Sequence, residues 1–217
     1  MELLFNIFLA LHIAGGTLGL ITGTISLATR KGDKRHRAIG KLFSYGMLTA
    51  GGSAFVLSVL HPNYFLFIVG VFTIYMVSTG YRYIYLKLLG KDQKPQLLDW
   101  ILTISMALIG ALFIVLGGYK LIEHNNFGIV FIVFGALSLR FVKVDIDNYR
   151  GNVKAKNYWL LCHLQRMIGG YIAAATAFLV VNSKYIPMLP PVVIWLLPTA
   201  ALVPLIIRWS KKYTLKN

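Results

Sequence analysis

The chain has a single cysteine, Cys162, and only seven acidic residues among its 217. One thiol excludes a disulfide framework within the chain, and neither paired-cysteine zinc spacing nor a C-x-x-C-H haem attachment is present. Charged residues of both signs amount to 13%, against about 25% in an ordinary soluble domain. The Walker loop, a G-x-G-x-x-G following a strand, G-x-S-x-G and H-E-x-x-H are all missing, so no soluble-enzyme motif stands out. An inverted repeat with paired broken helices, the usual mark of a secondary transporter, is missing too.

What is abundant is apolar sequence. The AVILMFWYC set makes up 57% of the chain, and the mean hydropathy is +0.68. These values exclude a soluble globular enzyme and a disordered chain. The formal charge is nevertheless +15, from 22 Lys and Arg. So apolar a chain is no nucleic-acid binder, and the useful question is where the cations sit.

A helix crosses a hydrocarbon core of about 30 Å with about 20 apolar residues. Seven segments qualify, at about 4–29, 39–60, 64–86, 97–119, 126–143, 158–181 and 190–209. The loops left between them are too short for a soluble domain, so the expected fold is all-α, a single polytopic bundle of seven transmembrane helices. The first segment lacks a basic n-region and is read as a retained helix rather than a cleaved signal. The fifth is the weakest, because Arg140 interrupts it. Pro198 is expected to kink the seventh.

The cations cluster around alternate loops: Arg30 to Lys41, Arg82 to Lys94, Arg140 to Arg166, and Arg208 to Lys216. Only Lys120 and Lys184 of the 22 fall on the opposite side. The positive-inside rule then places the N-terminus outside and the C-terminus in the cytoplasm, in a bacterial inner membrane. Anionic inner-leaflet lipid is the expected partner of this charge.

Helix faces supply the candidate residues. Gly15, Gly19 and Gly23 form a small-residue ridge on the first helix, and His12 shares that side. The second helix has one continuous stripe, His36, Gly40, Ser44, Met47, Gly51, Ala54, Ser58 and His61. The third aligns Phe72, Tyr75, Thr79 and Arg82. On the sixth, His163, Met167, Gly170 and Ala174 run beside Arg166, Gly169 and Ala173. His124 falls in an outer loop beside Glu123 and is read as solvated. Asp99 is read as an acid complementing the dipole at its helix start.

Two histidines per membrane half, His12 with His61 and His36 with His163, suggest haem b held by paired imidazoles. Depth argues against both pairs, since the expected helix ends leave each mismatched by roughly 12 Å. A single pocket using two of the four stays open. Zinc catalysis lacks the H-x-x-x-H pair and a three-ligand set, so no metal is expected beyond a haem iron. Arg37, Arg82 and Arg166 are the cations placed to contact a propionate, a quinone or a lipid phosphate.

The segment HRAIGKLFSYGML, from His36 to Leu48, resembles a motif of a bacterial family of multi-pass membrane proteins known only as a domain of unknown function. Its H-R-x-x-G-(R/K) element follows a first helix with His and several glycines, as LHIAGGTLGLITGTISL does here. HLQRMIGGYIAAATAFLVVN, from His163, is similar to a sixth-helix pattern of related sequences. The resemblance implies a seven-helix inner-membrane protein without an established activity. It singles out His12, His36, Arg37, Gly40, His163 and Arg166. Three readings follow: a haem-associated or redox-linked protein with His12 and His163 as candidate ligands or proton-relay groups, a transporter or lipid-interacting protein without redox chemistry, and an accessory subunit docking a partner helix or a second copy.

Overall fold

A computed structural model describes residues 1–214, so the Lys216 counted above lies outside the described residues. Seven α-helices make up the fold: α1 Glu2–Ala28, α2 Lys34–Leu60, α3 Tyr64–Arg82, α4 Leu97–Ile122, α5 Gly128–Tyr149, α6 Tyr158–Val181 and α7 Pro191–Tyr213. No strand occurs among the described residues. All but α5 are long and apolar enough to cross a membrane, which makes the chain a multi-pass α-helical membrane protein.

The two largest corrections to the expected helix ends are at α2 and α5. α2 begins at Lys34, five residues before the apolar stretch, because Asp33 caps it: its Oδ1 accepts the His36 amide N–H at 2.6 Å. α5 continues past residue 143 to Tyr149, through Lys143, Asp145 and Asp147. Together with Arg140, these charges take α5 out of the set that qualifies by composition. Both errors have one cause: apolarity reports contact with lipid, whereas a helix can run on into polar surroundings.

The helices fall into two compact units, residues 1–81 with 161–213, and residues 82–160 with Thr214. In the first unit, α1 and α2 form an antiparallel pair whose glycines meet backbone to backbone. A Cβ added to Gly15 would lie 2.8 Å from the Gly46 carbonyl oxygen, and one on Gly46 would lie 2.8 Å from the Gly15 oxygen. Phe43, Met47 and Val77 form a buried core joined by Met167, Tyr171 and Ala174.

From Ser44 to Ser58 the α2 stripe is filled, whereas a Cβ on Gly40 would meet nothing within 4 Å. A Cβ on Gly51 would meet Ile74 of α3 at 2.8 Å, and the Ser44, Ser53 and Ser58 hydroxyls donate to carbonyls of their own helix. The stripe is therefore a packing surface of α2, not a lined path.

In the second unit, α4 and α5 pair in the same antiparallel way. Buried residues recur at 99, 103, 106, 110, 113 and 117 on α4, and at 128, 131, 135, 138, 142, 145 and 149 on α5. This alternation of three and four is a heptad seam. A Cβ on Gly135 would come 2.9 Å from the Gly110 oxygen. Phe113 meets Phe131 with ring centroids 5.6 Å apart, and Trp100 meets Tyr149 at 5.2 Å.

Candidate functional site

A polar layer crosses the first unit at the end where α2 and α6 begin. His36 is two residues into α2, and its Nδ1 lies 3.2 Å from the Ser26 hydroxyl and 3.4 Å from that of Thr29. His163 is five residues into α6, with Nδ1 2.8 Å from the Gly80 carbonyl oxygen. Each imidazole is thus held by one ring nitrogen. Nε2 of both makes no hydrogen bond among the described residues.

No hydrogen bond or ring contact links the two imidazoles among the described residues. One level further along, Phe43 of α2 meets Tyr171 of α6 with ring centroids 6.3 Å apart. Phe43 is seven residues beyond His36, and Tyr171 is eight beyond His163.

The outer pair is not brought together. His12 Nδ1 lies 2.9 Å from the Ala50 oxygen, whereas His61 packs edge-on against Phe5 at 4.4 Å. Phe5 is seven residues from His12, which separates the two imidazoles by about 10 Å along α1. His124 sits in the α4–α5 turn with φ +57°.

The three arginines differ. Arg37 is exposed, and its Nε donates to the Asp33 carbonyl at 3.4 Å. Arg166 is buried, at 1% exposure. Its Nη1 donates to the Thr79 hydroxyl at 2.8 Å, and its guanidinium lies over the Tyr75 ring at 5.1 Å. Arg82 belongs to the second unit: Nε and Nη2 donate to Asp99 at 2.7 and 2.9 Å, and Nη2 also donates to Gln96 Oε1 at 2.9 Å. Asp99 is fully buried and also accepts the Gln96 amide at 2.8 Å. It is thus both the helix-start acid expected and the partner of an arginine 17 residues earlier.

Other polar residues went unnoticed in the sequence. Lys31 Nζ donates to the Ser26 and Leu27 carbonyls at 2.7 and 2.9 Å, closing the C-terminus of α1, and lies over the Trp209 ring at 4.3 Å. Burial pushes its ammonium below the ordinary lysine value. The Thr24 and Tyr171 hydroxyls pair at 2.6 Å. In the second unit, the fully buried Asp145 accepts from the Tyr83 hydroxyl at 2.6 Å, and Asn148 Nδ2 donates to the same hydroxyl at 3.0 Å. One signal was available: Asp99, Thr103, Asp145 and Tyr149 all fall on the α4–α5 heptad seam. No group of three or more metal-ligating His, Cys, Asp or Glu occurs among the described residues, and a bis-imidazole site needs only two. No protein-family model, no curated protein and no solved structure matches the chain.

Proposed function

We propose that this chain is a redox-linked protein of a bacterial inner membrane that holds one b-type haem in its cytoplasmic half, with His36 and His163 as axial ligands. The observation that carries this reading is that both imidazoles, near the first turns of α2 and α6, are held by Nδ1 with Nε2 unspent. An imidazole that donates from one nitrogen to a carbonyl or hydroxyl is oriented and made more basic at the other, the usual preparation of a metal ligand. Room is available beside His36, since a Cβ on Gly40, one turn further along α2, would meet nothing within 4 Å. A haem held there would carry single electrons. His36, Gly40 and His163 are among the positions singled out by the family resemblance, which supports the same site.

The reading includes seven spans, an outside N-terminus and a cytoplasmic C-terminus. Support for α5 as a span comes from its pairing with α4: Gly128 meets Gly117 at one end of the seam and Tyr149 meets Trp100 at the other. A helix matched to a spanning helix over that length covers the same depth. Its charged end then falls at the cytoplasmic boundary, where the positive-inside rule wants it.

Detergent-purified protein from haem-replete cells should show a Soret band that His36→Ala and His163→Ala abolish and His61→Ala leaves intact. A colourless preparation, or a band lost with His61 and kept without His36, overturns the proposal. The colourless outcome would favour a lipid-interacting protein without redox chemistry.

A further inference from the structure

The connection from α3 to α4 folds into a fixed wall. The Gln93 side chain spans it: Oε1 accepts the Leu88 N–H at 2.9 Å, and Nε2 donates to the Tyr85 carbonyl at 2.7 Å. From the other side the Tyr158 hydroxyl accepts the Leu89 N–H at 2.9 Å and donates to the Leu86 carbonyl. Gly90, with φ +81°, passes so near Gly151 that a Cβ on it would lie 2.8 Å from the Gly151 Cα. A wall held at this many points is preorganised, so little ordering is needed on binding.

This wall encloses an open cavity of about 440 Å³ lined by Arg82, Tyr85, Leu86, Asp92, Lys94 and Gln96. Three charges face it. Arg82 spends Nε and Nη2 on Asp99 and Gln96, and its Nη1 makes no hydrogen bond among the described residues. Asp92 and Lys94 are exposed, and neither joins an ion pair among the described residues.

The cavity lies where the membrane ends. The α3 span closes at Tyr85, and the α4 span opens at Leu97. Tyr85, Leu88, Leu97 and Leu98 are each more than half exposed, so apolar surface flanks the charged lining. An aromatic ring beside exposed leucines at this level is the pattern of a protein surface facing lipid headgroups.

We propose that the cavity holds the headgroup of a zwitterionic phospholipid, its phosphate against Arg82 Nη1 and Lys94 and its ammonium against Asp92. Two cations suit a phosphate monoanion. The carboxylate disfavours a purely anionic headgroup and pairs with an ammonium. The flanking leucines and tyrosine suit acyl chains, which a free phosphate lacks. This inference does not depend on the haem reading.

The test is lipid binding to the full-length protein in detergent, read by native mass spectrometry. The probes are dioleoyl phosphatidylethanolamine, dioleoyl phosphatidylglycerol and inorganic phosphate. The ethanolamine lipid should bind about two- to fivefold more tightly than the glycerol lipid, the range of one exposed ion pair. Asp92→Asn should erase that preference, Lys94→Gln should weaken both lipids, and inorganic phosphate should displace neither. Both substitutions fall on exposed side chains outside the helices, so the fold is retained. Equal binding of the two lipids by the unmodified chain, a preference that survives Asp92→Asn, or displacement by phosphate would each overturn the proposal.

Discussion

The α1–α2 and α4–α5 hairpins are built alike and furnished differently. Both are antiparallel pairs in which glycines let backbones touch, Gly15 against Gly46 and Gly110 against Gly135. On α4–α5 the seam ends in carboxylates. Asp99 is closed by Arg82 and the Gln96 amide, and Asp145 by the Tyr83 hydroxyl, all within one unit. On α1–α2 the polar groups are imidazoles and hydroxyls, and each histidine is fixed by one nitrogen only. The same packing device therefore supports two kinds of polar site. One is closed by its own side chains and reads as structural. The other keeps a nitrogen in reserve and reads as a place for a ligand.

Breaking the closed side should have the largest effect. Asp99→Ala leaves the Arg82 guanidinium with Gln96 Oε1 as its remaining partner and should destabilise the protein by about 3 kcal/mol, the low end of the range for a broken buried pair because Arg82 is partly exposed. Unfolding in a denaturing-detergent titration measures this, and a loss below about 1 kcal/mol would mean that the pair is not a structural closure. Tyr83→Phe removes the hydroxyl shared by Asp145 and Asn148 and should cost about 1–3 kcal/mol in the same titration.

Glycine contacts test what the hairpins share. Gly46→Ala should cost about 1–3 kcal/mol, because the new methyl meets backbone atoms of α1 that cannot move alone. Gly52→Ala, where a Cβ meets nothing within 4 Å, should be neutral or mildly stabilising through helix propensity. Equal effects at the two positions would mean that α1 and α2 are not in backbone contact.

The smallest effect is expected in the α4–α5 turn. There the Lys120 ammonium, 2.7 Å away, holds the Glu123 carboxyl below its ordinary value. A depressed carboxyl contributes stability above its unfolded pKa and loses it as pH falls through the folded one. Both groups are solvated, so Glu123→Gln should leave the melting temperature unchanged at neutral pH and flatten only its slope below the ordinary carboxylate range. A clear drop at neutral pH would give this turn a structural weight comparable to the buried pair.

Hydropathy was enough to locate most of the helices, because lipid contact requires apolar side chains in runs of about 20. α6 falls on residues 158–181 as expected. Hydropathy did not show where α2 begins or where α5 ends. Lys34 to Arg37 and Lys143 to Tyr149 are helical but polar, so an apolar count stops short of them. The cap was visible in Asp33 and the seam in the heptad spacing of α4 and α5. What could not be read was which side chain each buried charge would meet.

By itself, then, the sequence determined that this is a multi-pass α-helical membrane protein, because composition and periodicity act locally along the chain. Which polar groups meet was decided only in the tertiary structure. Arg82 finds Asp99, Tyr83 finds Asp145 some 62 residues on, and His163 finds the Gly80 carbonyl. Those pairings depend on the register between helices. Register is set by which small residues seat against which backbone, and a shift of one residue rotates a helix face by about 100° and moves it by about 1.5 Å.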